Sequence, residues 1–312
     1  MKEKKILPII AGLVTSFIFG FSFLFTKEAL DTINPFDLLT FRFGTAALAL
    51  IILRCIGIIR IDYKGKNVRA LLILALFQPS FYFIFETLGI QKTTTSEAGV
   101  MMALIPIVVT CLAAIFLKEI PSKPQVFSIS ISVLGVILVV LMKSTDGSGS
   151  FIGLLLLLCG VLCASILNIL SRKLSMSFKP VEITFFMMCT GAVFFGGISF
   201  ISHLVKGNVE EMFLSLKEPK VMIAIFYLGI LSSVVAFFLT NYNLSKLEAS
   251  RAVIFSNLIT VVSIVAGVLI RKEPFGIYQF IGTGMILIGV WGTNYYGEKK
   301  HQLPTNKDIR NH

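Results

Sequence analysis

Ten apolar stretches, each about as long as a bilayer-spanning helix, restrict the folds open to this chain more than any other feature. Crossing roughly 30 Å of hydrocarbon at 1.5 Å per residue takes about 20 apolar residues. Stretches of that kind fall at residues 6–26, 36–57, 69–88, 95–117, 124–142, 151–171, 181–204, 220–242, 249–270 and 276–296. Hydrocarbon offers no hydrogen bonds, so each such stretch must satisfy its own backbone, and a helix does so. The composition agrees. The chain is 55% hydrophobic and 14% charged, whereas a soluble domain carries about 25% charge. The expected fold is therefore an all-α membrane protein with ten transmembrane helices. The opening "MKEKK" followed by "ILPIIAGLVTSFIFGFSFLF" is too long in its apolar part for a signal peptide, and no small-residue cleavage site follows, so it reads as the first membrane helix.

Lysine and arginine set the expected orientation. With the N-terminus in the cytoplasm, 19 of the 28 Lys and Arg residues fall on inside segments and 8 on outside segments, and Arg42 lies within a span. This bias predicts that both termini are cytoplasmic, in a multi-pass protein of the plasma membrane (the inner membrane of a bacterium). The connections are short, the longest near 205–219, and the polar tail at 297–312 is expected to be disordered. The net charge of +11 then belongs to cytoplasmic loops. With no soluble basic domain, nucleic acid is not an expected partner.

A second feature acts on the first. "TTTSEAGVMMALIPIVVTCLAAIFLKEIPSKPQ" (93–125) and "LEASRAVIFSNLITVVSIVAGVLIRKEPFGIYQ" (247–279) align without a gap at an offset of 154 residues. Ser96 falls on Ser250, Ala98 on Ala252, Leu104 on Leu258, Lys118-Glu119 on Lys272-Glu273 and Gln125 on Gln279. Beyond the window, Gly135-Val136 falls on Gly289-Val290. Chance similarity of apolar helices explains leucine on leucine, but not a Lys-Glu pair and a glutamine at one constant spacing. The fourth and fifth spans match the ninth and tenth, so the repeating unit is five helices. Because five is odd, the second copy enters the membrane from the other side, giving two inverted repeats, residues 1–145 and 146–296. "NPFDLLTFR" and "KPVEITFFM" align at Pro35 and Pro180 as modest further support.

These passages, with "FIFGFSFLFTKEAL" and "NPFDLLTFRFGTAAL", resemble the EamA-type transporters of the drug/metabolite transporter superfamily over nearly the whole chain. The family pattern of L-x-P near mid-helix, a Glu at the helix end and a following Gly-containing helix is kept at Leu104-x-Pro106. The second copy has Leu258-x-Thr260 instead, and Phe19 stands where the family usually has Trp. The resemblance implies a ten-helix carrier of small metabolites, often an exporter of amino acids or related compounds. It also places Arg42 where the family commonly has arginine.

Polar side chains near mid-membrane are costly and tend to face a cavity. Gln78 beside Pro79, and Asn257 in the ninth span, are the expected hydrogen-bonding groups for a substrate. The alternative for each is an interhelical hydrogen bond without substrate contact. Ser16 and Asn168 are further polar candidates, and Tyr82, Phe19 and Met101 are candidate walls. Arg42 and Glu86 lie at similar depths and are expected to form an ion pair, either a structural clamp or an outer gate. Glu28, Glu97 and the two Lys-Glu motifs read as charges at helix ends, with Glu97 suited to the positive end of its helix. Pro79 and Pro106 can interrupt their helices. Cys55, Cys111, Cys159, Cys163 and Cys189 read as small buried hydrophobes.

Other function classes lack their residues. Hydrolysis within the membrane needs a Ser-His pair, paired aspartates or a metal site, and none of these lies at mid-membrane. A channel would show rings of pore charge or oligomer symmetry, and an ATP-driven pump a glycine-rich phosphate loop. No catalytic residue, metal or cofactor is expected. The expected partners are a small-molecule substrate and the lipid bilayer, with the protein a monomer or weak homo-oligomer. A non-transporting signalling or scaffold protein of the same fold is the alternative.

Overall fold

The structure, a computed structural model, describes residues 3–116, 121–143, 150–246 and 256–302. All the regular structure among them is helical. The elements run α1 (Glu3–Leu30), α2 (Pro35–Cys55), α3 (Val68–Ala75), a wide-turned π segment (Leu76–Phe81) and α4 (Tyr82–Gln91). They continue as α5 (Thr95–Met102), α6 (Ile105–Phe116), α7 (Lys123–Lys143), α8 (Phe151–Leu174), α9 (Pro180–Lys206) and the short α10 (Val209–Leu214). The chain ends with α11 (Pro219–Phe226), a second π segment (Tyr227–Ala236), α12 (Phe237–Lys246), α13 (Ser256–Leu269) and α14 (Ile277–Gln302). Among the described residues, 7 stretches are long and apolar enough to cross a membrane, while Lys123–Val139, Asn257–Leu269 and Ile277–Thr293 are apolar but shorter.

The surface pattern is that of a protein solvated by lipid. Large apolar side chains point outward, as at Leu48, Phe127, Val193 and Phe280, while Ser16, Arg42, Gln78 and Glu86 are buried. The cysteines follow the same pattern and correct the expectation of burial. Cys163 is buried, but Cys55 and Cys111 are exposed. A small apolar side chain suits the lipid-facing side of a helix as well as its interior.

Long side-by-side contacts hold the bundle. α7 lies along α14, α2 along α9, and α5 against α13; α4 and α6 pack on α8, and α1 packs on α13 and on the rod formed by α11, its π segment and α12. The α7–α14 seam depends on small residues. A Cβ at Gly135 would stand 2.6 Å from the carbonyl of Gly282, and one at Gly289 would stand 2.4 Å from that of Ser128. Ser132 adds a hydrogen bond from its hydroxyl to the carbonyl of Ile286 at 3.0 Å. Backbones approach this closely only where side chains are absent or minimal.

Helix ends are tied by polar groups. Thr94 and Glu97 form a reciprocal cap at the start of α5. Glu273 is a charge at a helix end, as expected, but a buried one. It is 9% exposed and accepts from the backbone N–H groups of Thr95 and Ser96 at 2.8 and 3.0 Å. It therefore satisfies free donors at the positive end of a helix far away in sequence. Glu182 accepts from Lys66 at 2.5 Å and caps α9 through the Lys179 N–H. Beside it the Tyr63 hydroxyl donates to the Glu182 carbonyl at 2.7 Å. Burial pushes the Tyr63 pKa well up, and the Glu182 charge adds to the shift, so the hydroxyl keeps its proton. At the opposite end of the α2–α9 pair, Asp37 accepts from Ser199 and pairs with His203. Lys118-Glu119 and the start of the expected ninth span lie outside the described residues. The last helix runs on to Gln302, past its expected end at 296, and the first proline after it is Pro304.

Candidate functional site

A cavity of about 140 Å³ lies between α1, α2, α4, α8 and α12. Three local features place polar groups in its wall. The first is the break before α4. Gln78 leaves helical geometry, with φ −148° and ψ 124°, and Pro79 follows it without an N–H to donate. Gly191 of α9 makes room for the break, since a Cβ there would meet Pro79 and the Phe43 ring within 2.9 Å. Gln78 ends up 3% exposed and lines the cavity.

The second feature is the π segment before α12. Arg42, 2% exposed, donates from Nε to the Ser233 hydroxyl at 3.0 Å and from Nη2 to the Ser232 hydroxyl at 2.9 Å. Its guanidinium also lies 4.4 Å from the centre of the Phe83 ring. Gly229 permits this approach, because a Cβ there would fall 2.9 Å from Thr45 and 3.1 Å from the Arg42 carbonyl. Widened turns of this kind are frequent at functional sites.

The third is the helical spacing of α4. Tyr82 and Glu86, four residues apart, share a face, and the Tyr82 hydroxyl donates to Glu86 Oε1 at 2.7 Å. Glu86 Oε2 is buried with no hydrogen-bond partner, as are Gln78 Oε1, Thr15 Oγ1 and Thr240 Oγ1. All four residues line the cavity. Buried polar atoms are nearly always paired, so these four offer bonding partners to a ligand or water that enters the cavity. Phe19 and Phe237, with ring centres 5.3 Å apart, form an aromatic wall.

Seven of the nine residues singled out in the sequence meet here: Ser16, Phe19, Arg42, Gln78, Tyr82, Glu86 and Asn168. Ser16 and Asn168 spend hydrogen bonds on their own helices, to the carbonyls of Gly12 and Ala164. Met101 does not line the cavity. Successive residues of a helix point about 100° apart, so its neighbour Met102 takes that place, with its sulfur 4.0 Å from the Tyr82 hydroxyl. Asn257 does not line it either. It is half-buried and Ile259 stands in the wall instead, although Asn257 Oδ1 is buried without a partner. Arg42 and Glu86 share the cavity but form no ion pair within 4.0 Å. The guanidinium is already held by the two serines. Thr15, Thr240, Ser232 and Ser233 were not picked out in the sequence, where the only signal is a Ser-Ser pair inside the apolar run "GILSSVVAFF".

The EamA-like transporter family model matches residues 6–141 and 151–295. The chain belongs to that family. Among curated EamA relatives, the uncharacterized transporter YcxC of Bacillus subtilis (strain 168) is 39% identical over 97% of this chain and 98% of its own length. An uncharacterized transporter of Archaeoglobus fulgidus is 28% identical over 91% of this chain and 96% of its own. One solved crystal structure superposes with a TM-score of 0.61 over 94% of this chain and 97% of that one, at 17% identity, a likeness of fold. EamA membership and the apolar helices make this a multi-pass membrane protein, and the names of its relatives indicate a transporter rather than an enzyme.

Proposed function

We propose that this chain is a secondary carrier of ten transmembrane helices that moves small polar or zwitterionic metabolites, such as amino acids, out of the cell by alternating access. Its halves, residues 1–145 and 146–296, are inverted five-helix repeats in the plasma membrane, with both termini and the tail at 297–312 in the cytoplasm. The observation that carries the reading is the buried cavity, which is walled by α1, α2 and α4 from the first half and by α8 and α12 from the second. A site shared by two halves can face either side of the membrane in turn as the halves rearrange.

The helix contacts support two equivalent halves. Counting the α3–α4, α5–α6 and α11–α12 rods as single helices, and setting aside the six-residue α10, gives five helices per half. Exchanging the halves then turns α4 on α8 into α1 on the α11–α12 rod, and α1 on α13 into α8 on the α5–α6 rod. It leaves α2–α9, α5–α13 and α7–α14 unchanged, and every one of these contacts is present. The family model also matches the chain twice. Among side chains of the cavity, Gln78, Tyr82, Arg42 and Glu86 are the proposed substrate contacts, backed by Ser16, Phe19 and Asn168. The carrier works with a small molecule and the bilayer as its partners, as a monomer or weak homo-oligomer.

The test is flux in vesicles reconstituted with the purified full chain and a pool of isotope-labelled L-amino acids. Saturable efflux absent from protein-free vesicles is expected. Absence of flux for every member of the pool would favour the non-transporting scaffold alternative.

A further inference from the structure

Among the described residues the cavity wall carries one carboxyl group, Glu86, and one guanidinium, Arg42, which acts on it through space but makes no ion pair with it within 4.0 Å. Glu86 is 4% exposed. Tyr82 serves one of its oxygens, while Oε2 has no partner. Two titratable groups of neighbouring helices face this face of α4, Arg42 from α2 and Cys163 from α8, with Tyr82 on α4 itself. Arg42 is committed to Ser232, Ser233 and the Phe83 ring. Lys27 of α1 reaches only the carbonyls of Ile90 and Gln91 at the far end of α4, and Glu97 of α5 is engaged in its own helix cap.

A buried carboxylate with no direct ion pair and one oxygen unbonded is costly, and a cation or a proton at that oxygen lowers the cost. An ammonium group suits this oxygen, since it brings three donors and a charge to it. The aromatic wall of Phe19 and Phe237 is also favourable to a cation. A proton fits equally and leaves the group neutral.

We propose that Glu86 is an exchange site at which a proton and the ammonium group of the cargo replace one another. This rests on the carrier reading above. In the loaded state Glu86 is ionised and Oε2 accepts an N–H from the ammonium. When the cargo leaves, Glu86 takes one proton from the water on the side the cavity then faces. On return, that proton is released to water on the other side as the next ammonium binds. One proton therefore moves opposite to each cargo molecule, and no electrons are transferred. Because the bare carboxylate is the unfavourable state, the carrier rarely turns over empty and unprotonated, and this couples the two flows.

Two measurements on the purified full chain test the exchange. Infrared difference spectroscopy between about pH 4 and about pH 9, a range that brackets perturbed carboxyls, should show a buried protonated C=O stretch that disappears as the pH rises. The band should be missing in Glu86→Gln and shifted in frequency in Glu86→Asp. Adding the pooled L-amino acids at the midpoint should deplete it. Vesicles with an imposed gradient of one pH unit should accumulate cargo up to about tenfold over vesicles without one. Glu86→Gln should abolish that response and Glu86→Asp restore part of it. If the Gln variant does not fold, the band shift and gradient response of the Asp variant decide the matter. Wild-type flux indifferent to the gradient, or spectra free of any Glu86 band, would overturn the exchange while leaving the carrier standing. A titrating band indifferent to the pool, with no flux of any member, would instead overturn the amino-acid cargo and the exchange with it.

Discussion

Arg42 shows how much of the site one side chain organises. Its planar fork engages two adjacent serines on another helix while its face rests on Phe83, a geometry that a lysine point charge does not reproduce. Arg42→Lys is therefore expected to lose at least one of the serine bonds, at a cost of about 1–3 kcal/mol, seen as a lower melting temperature in detergent. Exchanging the charges, Arg42→Glu with Glu86→Arg, is expected to rescue neither transport nor folding, because each residue's contacts are with other groups. Recovery in the double variant would show that the two pair directly in another state. Gln78 differs from Asn257 in the same testable way. Gln78→Leu removes a free acceptor from the cavity wall and should weaken apparent substrate affinity about fivefold, the equivalent of a hydrogen bond of about 1 kcal/mol. Asn257→Leu should leave affinity within about twofold, since its side chain lies outside the wall. Equal effects at both positions would place Asn257 in the site as well.

At the scale of the element, both third helices of the proposed repeats are interrupted at mid-length, by Leu76–Phe81 and by Tyr227–Ala236. The first interruption was legible from Pro79. The second was not, since "YLGILSSVVA" holds no proline and keeps the apolar character of a continuous helix. Its marker is Gly229, whose role appears only when α2 is packed against it. The same physical reason hid Glu273. A Lys-Glu pair after an apolar helix reads as a surface charge, and only the fold brings the start of α5 within reach. The polar cavity residues were easier to find, because a buried amide or carboxyl in an apolar stretch is conspicuous by its cost. The exact wall was harder, because Met101 and Met102 differ only in the direction each faces. Gly229→Val puts a branched side chain where even a Cβ is crowded by Thr45. It should push the π segment off α2, cost about 1–3 kcal/mol of stability, and reduce transport together with the thermal midpoint. Ser232→Ala combined with Ser233→Ala, which removes the bonds without steric pressure, separates the two effects. It should reduce transport at least as strongly as Gly229→Val if the placement of Arg42 is what matters.

For the molecule as a whole, direction is the decisive property. α7 and α14 run antiparallel, and the contacts along their seam establish it. Gln125 meets Thr293, Ser128 meets Gly289 and Gly292, Ser132 meets Ile286, and Gly135 and Val139 meet Gly282. As one number rises the other falls. The starts of these helices therefore lie at opposite ends of the bundle, although the sequences leading into them align at the shared Lys-Glu and glutamine. Both starts carry the same local bond, from the N–H of Ser122 to Gln125 and from that of Gly276 to Gln279. With the lysine and arginine bias, this predicts Lys123 in the cytoplasm and Ile277 outside. Both side chains are exposed, so each can be tested as a single cysteine in a background lacking the five native ones. A membrane-impermeant thiol reagent added to intact cells should label Ile277→Cys and spare Lys123→Cys, and inside-out vesicles should give the reverse. Labelling of both from one side would require one of the two helices not to cross, and would remove the inverted repeat. Opposite labelling with the sides exchanged would preserve the repeat but turn the carrier over in the membrane, making the positive segments external against the charge rule.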